Sequence, residues 1–213
     1  MSYKENLYNK ALHEIERIYV ESKYDSDMDF YRIFDIINSI NDNQMANKEW
    51  LVDKLLPYID PKGADICILG GWYGLTALML RQHLPEEIEI DNVDCDIWCS
   101  RIARRLNDGA KNIRYATDNA EDWFFDKPRK YQLIINTSCE HMEQDDLNLM
   151  IGLKKKEAII CLQGNNYHEI QSHINTHNSL EEFVESFKLN EILFQDTLPS
   201  PCGKYDRYMV IGK

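Results

Sequence analysis

The stretch DICILGGWYGLTALML, residues 65–80, sets the reading of the whole chain. An apolar run from Ile66 to Leu69 meets Gly70, Gly71 and Gly74, and a helical pattern follows at once. That order describes a buried strand turning tightly into a helix. Glycine permits left-handed backbone and close approach of another group, while the start of the helix offers unpaired N–H groups and a positive dipole end. A tight strand-to-helix connection with no ligand could use the same glycines, so the turn must be read with its surroundings.

Downstream the pattern repeats. The sequence predicts strands at 65–69, 88–93, 112–116, 132–136 and 158–163, alternating with helical segments as in successive βαβ units. Unbroken runs such as LII (133–135) and AIICL (158–162) fit strands covered on both faces. Two further strands, 191–195 and 207–211, are separated by only DTLPSPCGKYD, too short for a crossover helix, so they should form an antiparallel hairpin. Ser179 and Glu182 make a capping-box pattern ahead of a helix at LEEFVESFKL.

Upstream, Leu7, Ala11, Ile15, Ile18 and Tyr19 form one helical stripe. Helical patterns recur at 27–40 and 48–59, the latter stopped by Pro61 and Gly63. The expected organisation is a helical segment over 1–62 and an α/β domain over 63–213. Phe30, Tyr31, Phe34 and Trp50 are expected in the core of the helical segment.

Composition narrows the function. With 44% hydrophobic and 28% charged residues in 213, the chain reads as one soluble globular unit, and no apolar run is long enough to cross a bilayer. The N-terminus lacks a secretory apolar region and is too acidic for a transit peptide, so a cytoplasmic location is expected. A formal charge of -12 disfavours nucleic acid, whose binding draws on Lys and Arg displacing counterions. The six cysteines are scattered without a CxxC, and no metal site is expected. His173 and His177 are spaced as two ligands on one helical face would be. No third ligand is evident in the nearby sequence, and with Asn175 and Asn178 interleaved they are expected on a polar helix or loop face.

Several acids fall where a nucleotide-like ligand would meet strand ends. Asp94 ends the second strand about twenty residues past the glycine turn, where a carboxylate accepts both ribose hydroxyls. Asp94 and Asp96 could instead cap the helix DIWCSRIARRL; Asp94 is assigned to ribose and Asp96 to capping. After the third strand, Asp118 and Asn119 precede the small Ala120, a place where an adenine amino group could be read or where a solvated acidic turn would suffice.

These residues resemble class I S-adenosylmethionine-dependent methyltransferases over residues 63–213. ILGGWYG looks like that family's first motif, Asp94 like its ribose acid, and DNAED like its adenine-side segment. YQLIINTSCEHM resembles its fourth strand and following loop, where many members carry an acid–His pair matching Glu140 and His141. The antiparallel last strands match NEILFQDTL and RYMVIG. Ile68 and Trp72 stand where the family usually has an acid and its middle glycine.

The resemblance implies a three-layer αβα Rossmann-like fold with a seven-stranded sheet, mostly parallel with an antiparallel C-terminal strand. It implies S-adenosylmethionine as cofactor, held by Gly70, Gly71, Trp72, Gly74, Asp94, Asp118, Asn119 and Asn136. The acceptor should approach the ends of the fourth and fifth strands, where His141, then His168, are candidate bases beside Glu140. Either histidine could equally be structural. A small-molecule or other non-DNA acceptor is expected, and a homo-oligomer is compatible with this reading. A non-catalytic nucleoside-binding or partner-binding protein is the alternative, with aminopropyl transfer ranked lower.

Overall fold

The computed structural model describes residues 3–23, 31–126 and 130–213. Three helices come first: α1 (Tyr3–Glu21), α2 (Tyr31–Ser39) and α3 (Asp42–Leu55). Then strands and helices alternate: β1 (Ile66–Leu69), α4 (Leu75–Arg81), β2 (Ile90–Asp94), α5 (Ile97–Leu106), β3 (Ile113–Thr117), α6 (Ala120–Asp126), β4 (Leu133–Asn136), α7 (Gln144–Leu153), β5 (Ile159–Asn165) and α8 (Leu180–Glu185). The chain closes with β6 (Ile192–Pro199) and β7 (Asp206–Gly212).

The seven strands form one sheet in the order β3-β2-β1-β4-β5-β7-β6. β1 to β5 pair in parallel, while β7 runs antiparallel to both β5 and β6. The hairpin return therefore inserts the last strand inside the sheet. Strand order reverses between β1 and β4, and in such sheets the crevice beyond the carboxyl ends at the reversal is the usual ligand site.

β1 shows how the layers arise. Successive side chains on a strand face opposite ways, and here Ile66 and Ile68 join one core cluster while Cys67 and Leu69 join the other. The first cluster takes Leu7, Ile18, Ile36, Leu51 and Leu55 from α1 to α3 together with Leu75, Leu80 and Ile102. The second takes Phe124, Leu147, Met150 and Phe183 from α6, α7 and α8. Both faces of the sheet are thus covered, as the unbroken apolar strands require. The initial helices share the domain's own core, and the reciprocal amide pair of Asn47 with Gln163 (2.9 and 3.2 Å) ties α3 to the centre of β5.

Three local expectations needed correction. Tyr31 and Phe34 are 61% and 56% exposed, because α2 turns Ile33 and Ile36 to the core and these aromatics away from it; Trp50 packs against the core, and Phe30 lies outside the described residues. Tyr19 is exposed while Leu7, Ala11 and Ile18 carry the α1 stripe. Ser179 caps α8 through Glu182 N (3.2 Å), but Glu182 returns its bond to the N–H of Asn178, one residue before the cap, so the reciprocal half of the capping box is shifted.

Candidate functional site

The turn after β1 is held by its neighbours. Gly70 and Gly74 have φ of 62° and 73°, and so does Trp72 at 46°, a left-handed conformation that costs a non-glycine residue roughly 1 kcal/mol or more. Two hydrogen bonds keep Trp72 there: its N–H donates to Asp94 Oδ2 (2.8 Å) and its indole Nε1–H to Asp35 Oδ2 (3.1 Å). The other Asp94 oxygen accepts the N–H of Asp96 (3.0 Å). Burial pushes the Asp94 carboxyl above the ordinary carboxylate range, although these two N–H groups pull it back. Each carboxylate oxygen can accept twice, so two accepting positions remain for a ligand.

Asp35 comes from α2, within the N-terminal helical segment. It accepts from Tyr73 Oη (2.5 Å) as well as from Trp72, and Arg32 of the same helix bonds Asp96 (2.5 Å), the N-cap residue of α5. A cluster of long-range bonds thus clamps the first helices onto the turn. α3 adds Lys48, which is 8% exposed, donates to Gln44 Oε1 (2.6 Å) and lies 5.7 Å from the centre of the Trp72 ring. Burial, with Arg207 adding repulsion, lowers its pKa to about 7. An amine poised between charge states at neutral pH is a group that a ligand's charge can switch.

Across the crevice, β4 runs into a single 3-10 turn over Cys139–His141. Asn136 is buried and organises that turn, accepting the N–H of Ser138 (2.9 Å) and donating to Met142 Sδ (3.0 Å). Glu140 is 4% exposed; its Oε1 accepts from Asn165 Nδ2 (2.8 Å) and Arg207 Nη1 (2.5 Å), and its Oε2 is buried without a hydrogen-bond partner. His141 Nδ1 meets the carbonyl of Ser172 (2.9 Å), and His173 Nδ1 that of Tyr167 (2.8 Å). The two imidazoles stand edge to face with centroids 4.8 Å apart.

These elements enclose a cleft of about 450 Å³, within the range of small-ligand sites. Of the residues singled out in the sequence, Gly70, Gly71, Trp72, Asp94, Glu140 and His141 line it. Gly74 instead starts α4 beneath Tyr115, where an added Cβ would lie 2.4 Å from Cε1. Asp118 is partly buried, its N–H bonded to Asp94 O, and exposed Asn119 immediately precedes α6; both stand at the strand edge beyond Asp94, outside the enclosed volume. His168 is exposed and bonded to Thr176 Oγ1 (2.6 Å), away from the cleft.

His173 and His177 do not share a polar face. They belong to a non-helical segment, His173 at the cleft and His177 buried edge-on against Phe183 (5.4 Å). Lys48, Asp35, Arg207 and His173 were not legible as a group, since they are brought together from four distant parts of the chain. The only sequence signal was the density of hydrogen-bonding residues after the fourth and fifth strands.

No protein-family model and no curated protein matches the chain. Solved structures do. A geranyl diphosphate methyltransferase in complex with GPP and sinefungin aligns with a TM-score of 0.60 at 14% identity, over 80% of this chain and 77% of that one. Magnesium protoporphyrin IX methyltransferase from Synechocystis PCC 6803, with bound SAH, gives 0.59 at 11% over 79% and 82%. A point mutant of MtNAS in complex with S-adenosylmethionine gives 0.59 at 13%, over 98% of this chain and 72% of that one, so that this match extends over the initial helices. Identities this low speak to architecture: the chain has the fold of the class I S-adenosylmethionine-dependent methyltransferases.

Proposed function

We propose that the cleft binds S-adenosylmethionine and that the protein transfers its methyl group to a small-molecule, non-DNA acceptor. The observation that carries this reading is the junction of Gly70, Gly71 and Asp94 at the sheet reversal, opening into a cleft of ligand size in a fold shared with methyltransferases. When bound, the cofactor supplies an electrophilic sulfonium methyl. Asp94 accepts the ribose hydroxyls through its two remaining positions, and Asp118 and Asn119 border the adenine. Gly70 and Gly71 bring main chain against the cofactor. Trp72 packs on it, and Lys48 meets its carboxylate.

On the acceptor side, Tyr167 and Tyr205 stack at 5.2 Å and form a wall beside Glu140 and His141. A backbone carbonyl can only accept, so the bond to Ser172 fixes the His141 proton on Nδ1 and leaves the Nε2 lone pair to take the acceptor's proton. Glu140, engaged by Arg207 and Asn165, positions this turn. His168 would reach an acceptor only if the segment carrying it moved. Alignment and exclusion of water supply the rest of the rate.

Ile68 supports a second reading. It is fully buried in the core, so no acid meets the methionine amino group from that position, as a nucleoside-binding protein without catalysis would allow. Calorimetry with S-adenosylmethionine, its demethylated product and NAD separates the readings. Binding of the first two supports the proposal; absence of binding by both overturns it. With an acceptor in hand, His141→Ala should lower turnover while cofactor affinity holds.

A further inference from the structure

Glu140, His141 and His173 each offer one ligating atom, and the three atoms lie within 4.8 Å of one another, the sole such group among the described residues. We propose that they form a binding site for a divalent first-row transition-metal ion on the acceptor side of the cleft. The inference deepens the function proposed above, since it places a metal where the acceptor is expected.

The geometry is that of prepared ligands. Both histidines bond a backbone carbonyl through Nδ1, at 2.9 and 2.8 Å, which fixes the tautomer and leaves Nε2 as the lone-pair nitrogen. Metal-bound histidines are commonly held in this way, with the far nitrogen donating to a carbonyl or carboxylate. Glu140 is treated similarly: Asn165 and Arg207 occupy Oε1, and Oε2 is left buried and unpartnered. An orphan oxygen on a buried carboxylate is costly unless something else satisfies it. The neighbouring Asn175 N–H bonds Glu140 O (3.1 Å), pinning the segment that carries His173 against the turn that carries Glu140 and His141.

Ligand type selects the ion. Two imidazoles and one carboxylate favour zinc, cobalt, nickel or iron over magnesium or calcium, which prefer all-oxygen shells. Ligand bonds of about 2.0–2.2 Å require neighbouring donors to stand roughly 3 to 3.5 Å apart, so the widest separation in the trio must close by up to roughly 1.5 Å on binding. Both histidines border the cleft, His141 is exposed and His173 partly so, and such adjustment is within side-chain reach. Three protein ligands leave open positions facing the cleft, the arrangement of a catalytic site. Arg207 opposes the ion electrostatically, which lowers affinity but leaves the donor set intact. In the loaded protein His141 is a ligand; in the metal-free protein it is the proton acceptor.

The test uses the full chain stripped with EDTA and titrated with Co²⁺ in the absence of S-adenosylmethionine, followed by calorimetry and visible absorption. One equivalent should bind, with the weak bands of a nitrogen and oxygen shell. His141→Ala and His173→Ala should each weaken binding by more than the roughly 10–100-fold that loss of an outer-shell partner costs. Glu140→Gln, which retains an oxygen acceptor for Arg207, should weaken it too. Circular dichroism matched to wild type shows that each variant is folded.

Cys95 and Cys202 are exposed thiols, so the Cys95→Ser/Cys202→Ser protein should bind as wild type does. No stoichiometric uptake, uptake that survives in both histidine variants, or uptake lost with the two thiols would overturn the proposal. Cobalt uptake without S-adenosylmethionine binding would remove the methyl-transfer reading and keep the metal site; the reverse result would do the opposite.

Discussion

Lys48 offers a prediction whose sign and size follow from its surroundings. It is 8% exposed, donates to Gln44 Oε1, and is held by burial and by Arg207 at a pKa of about 7. Unfolded, a lysine titrates near 10.4. Between those values the unfolded chain binds a proton that the folded chain does not, so stability rises with pH through this window, by at most about 1.4 kcal/mol per pH unit. From pH 7 to pH 9 the gain attributable to Lys48 is about 2 kcal/mol, while below pH 7 it vanishes because both states are protonated. Lys48→Met removes the term. Urea unfolding of wild type and variant at several pH values should show the variant more stable at pH 7, with wild type closing the gap by about 2 kcal/mol at pH 9. Parallel stability curves would show that the amine is not desolvated and that its pKa is not depressed. The same group should report the ligand. A carboxylate placed against Lys48 restores its charge, so binding S-adenosylmethionine at pH 8 should take up a proton, measured as a dependence of calorimetric heat on buffer ionisation enthalpy.

Asp94→Asn should weaken S-adenosylmethionine by about 1.5 to 3 kcal/mol, the scale of hydrogen bonds to a charged group, and unchanged affinity by calorimetry would show the residue is misassigned. Gly74→Ala should be strongly destabilising, by about 2 kcal/mol or more, since φ is 73° and the new methyl would meet the buried Tyr115 ring; thermal melting checks it. Asp35→Asn should lower cofactor affinity without direct contact, because the charge that holds Trp72, Tyr73 and Arg32 together is gone, and proteolysis should cut the initial helices sooner. If affinity and proteolysis are both unchanged, the α2 clamp has no bearing on the turn.

The strands and the glycine turn were legible in the residues alone. β1 to β5 appear within two residues of their predicted ends because strand burial is a local property, written in runs such as ICIL and LII. The short Pro- and Gly-bearing loop after residue 195 sufficed to make β6 and β7 antiparallel. Asp96 was legible as a cap, and it accepts the N–H of Trp98 (2.8 Å) as a cap should.

Which polar groups meet is set by packing between elements far apart in the chain. Lys48 and Asp35 look like surface residues of amphipathic helices, yet packing those helices over the carboxyl edge of β1 places both at the glycine turn. His173 pairs with Glu140 and His141 instead of His177, because the segment after β5 folds back without a helix and its backbone bonds Glu140 O. Arg207 reaches Glu140 because β7 is inserted beside β5. Periodicity records which side of an element is buried. Convergence of polar groups from residues 35, 48, 140, 173 and 207 depends on how separate layers stack, a long-range outcome that no window of sequence contains.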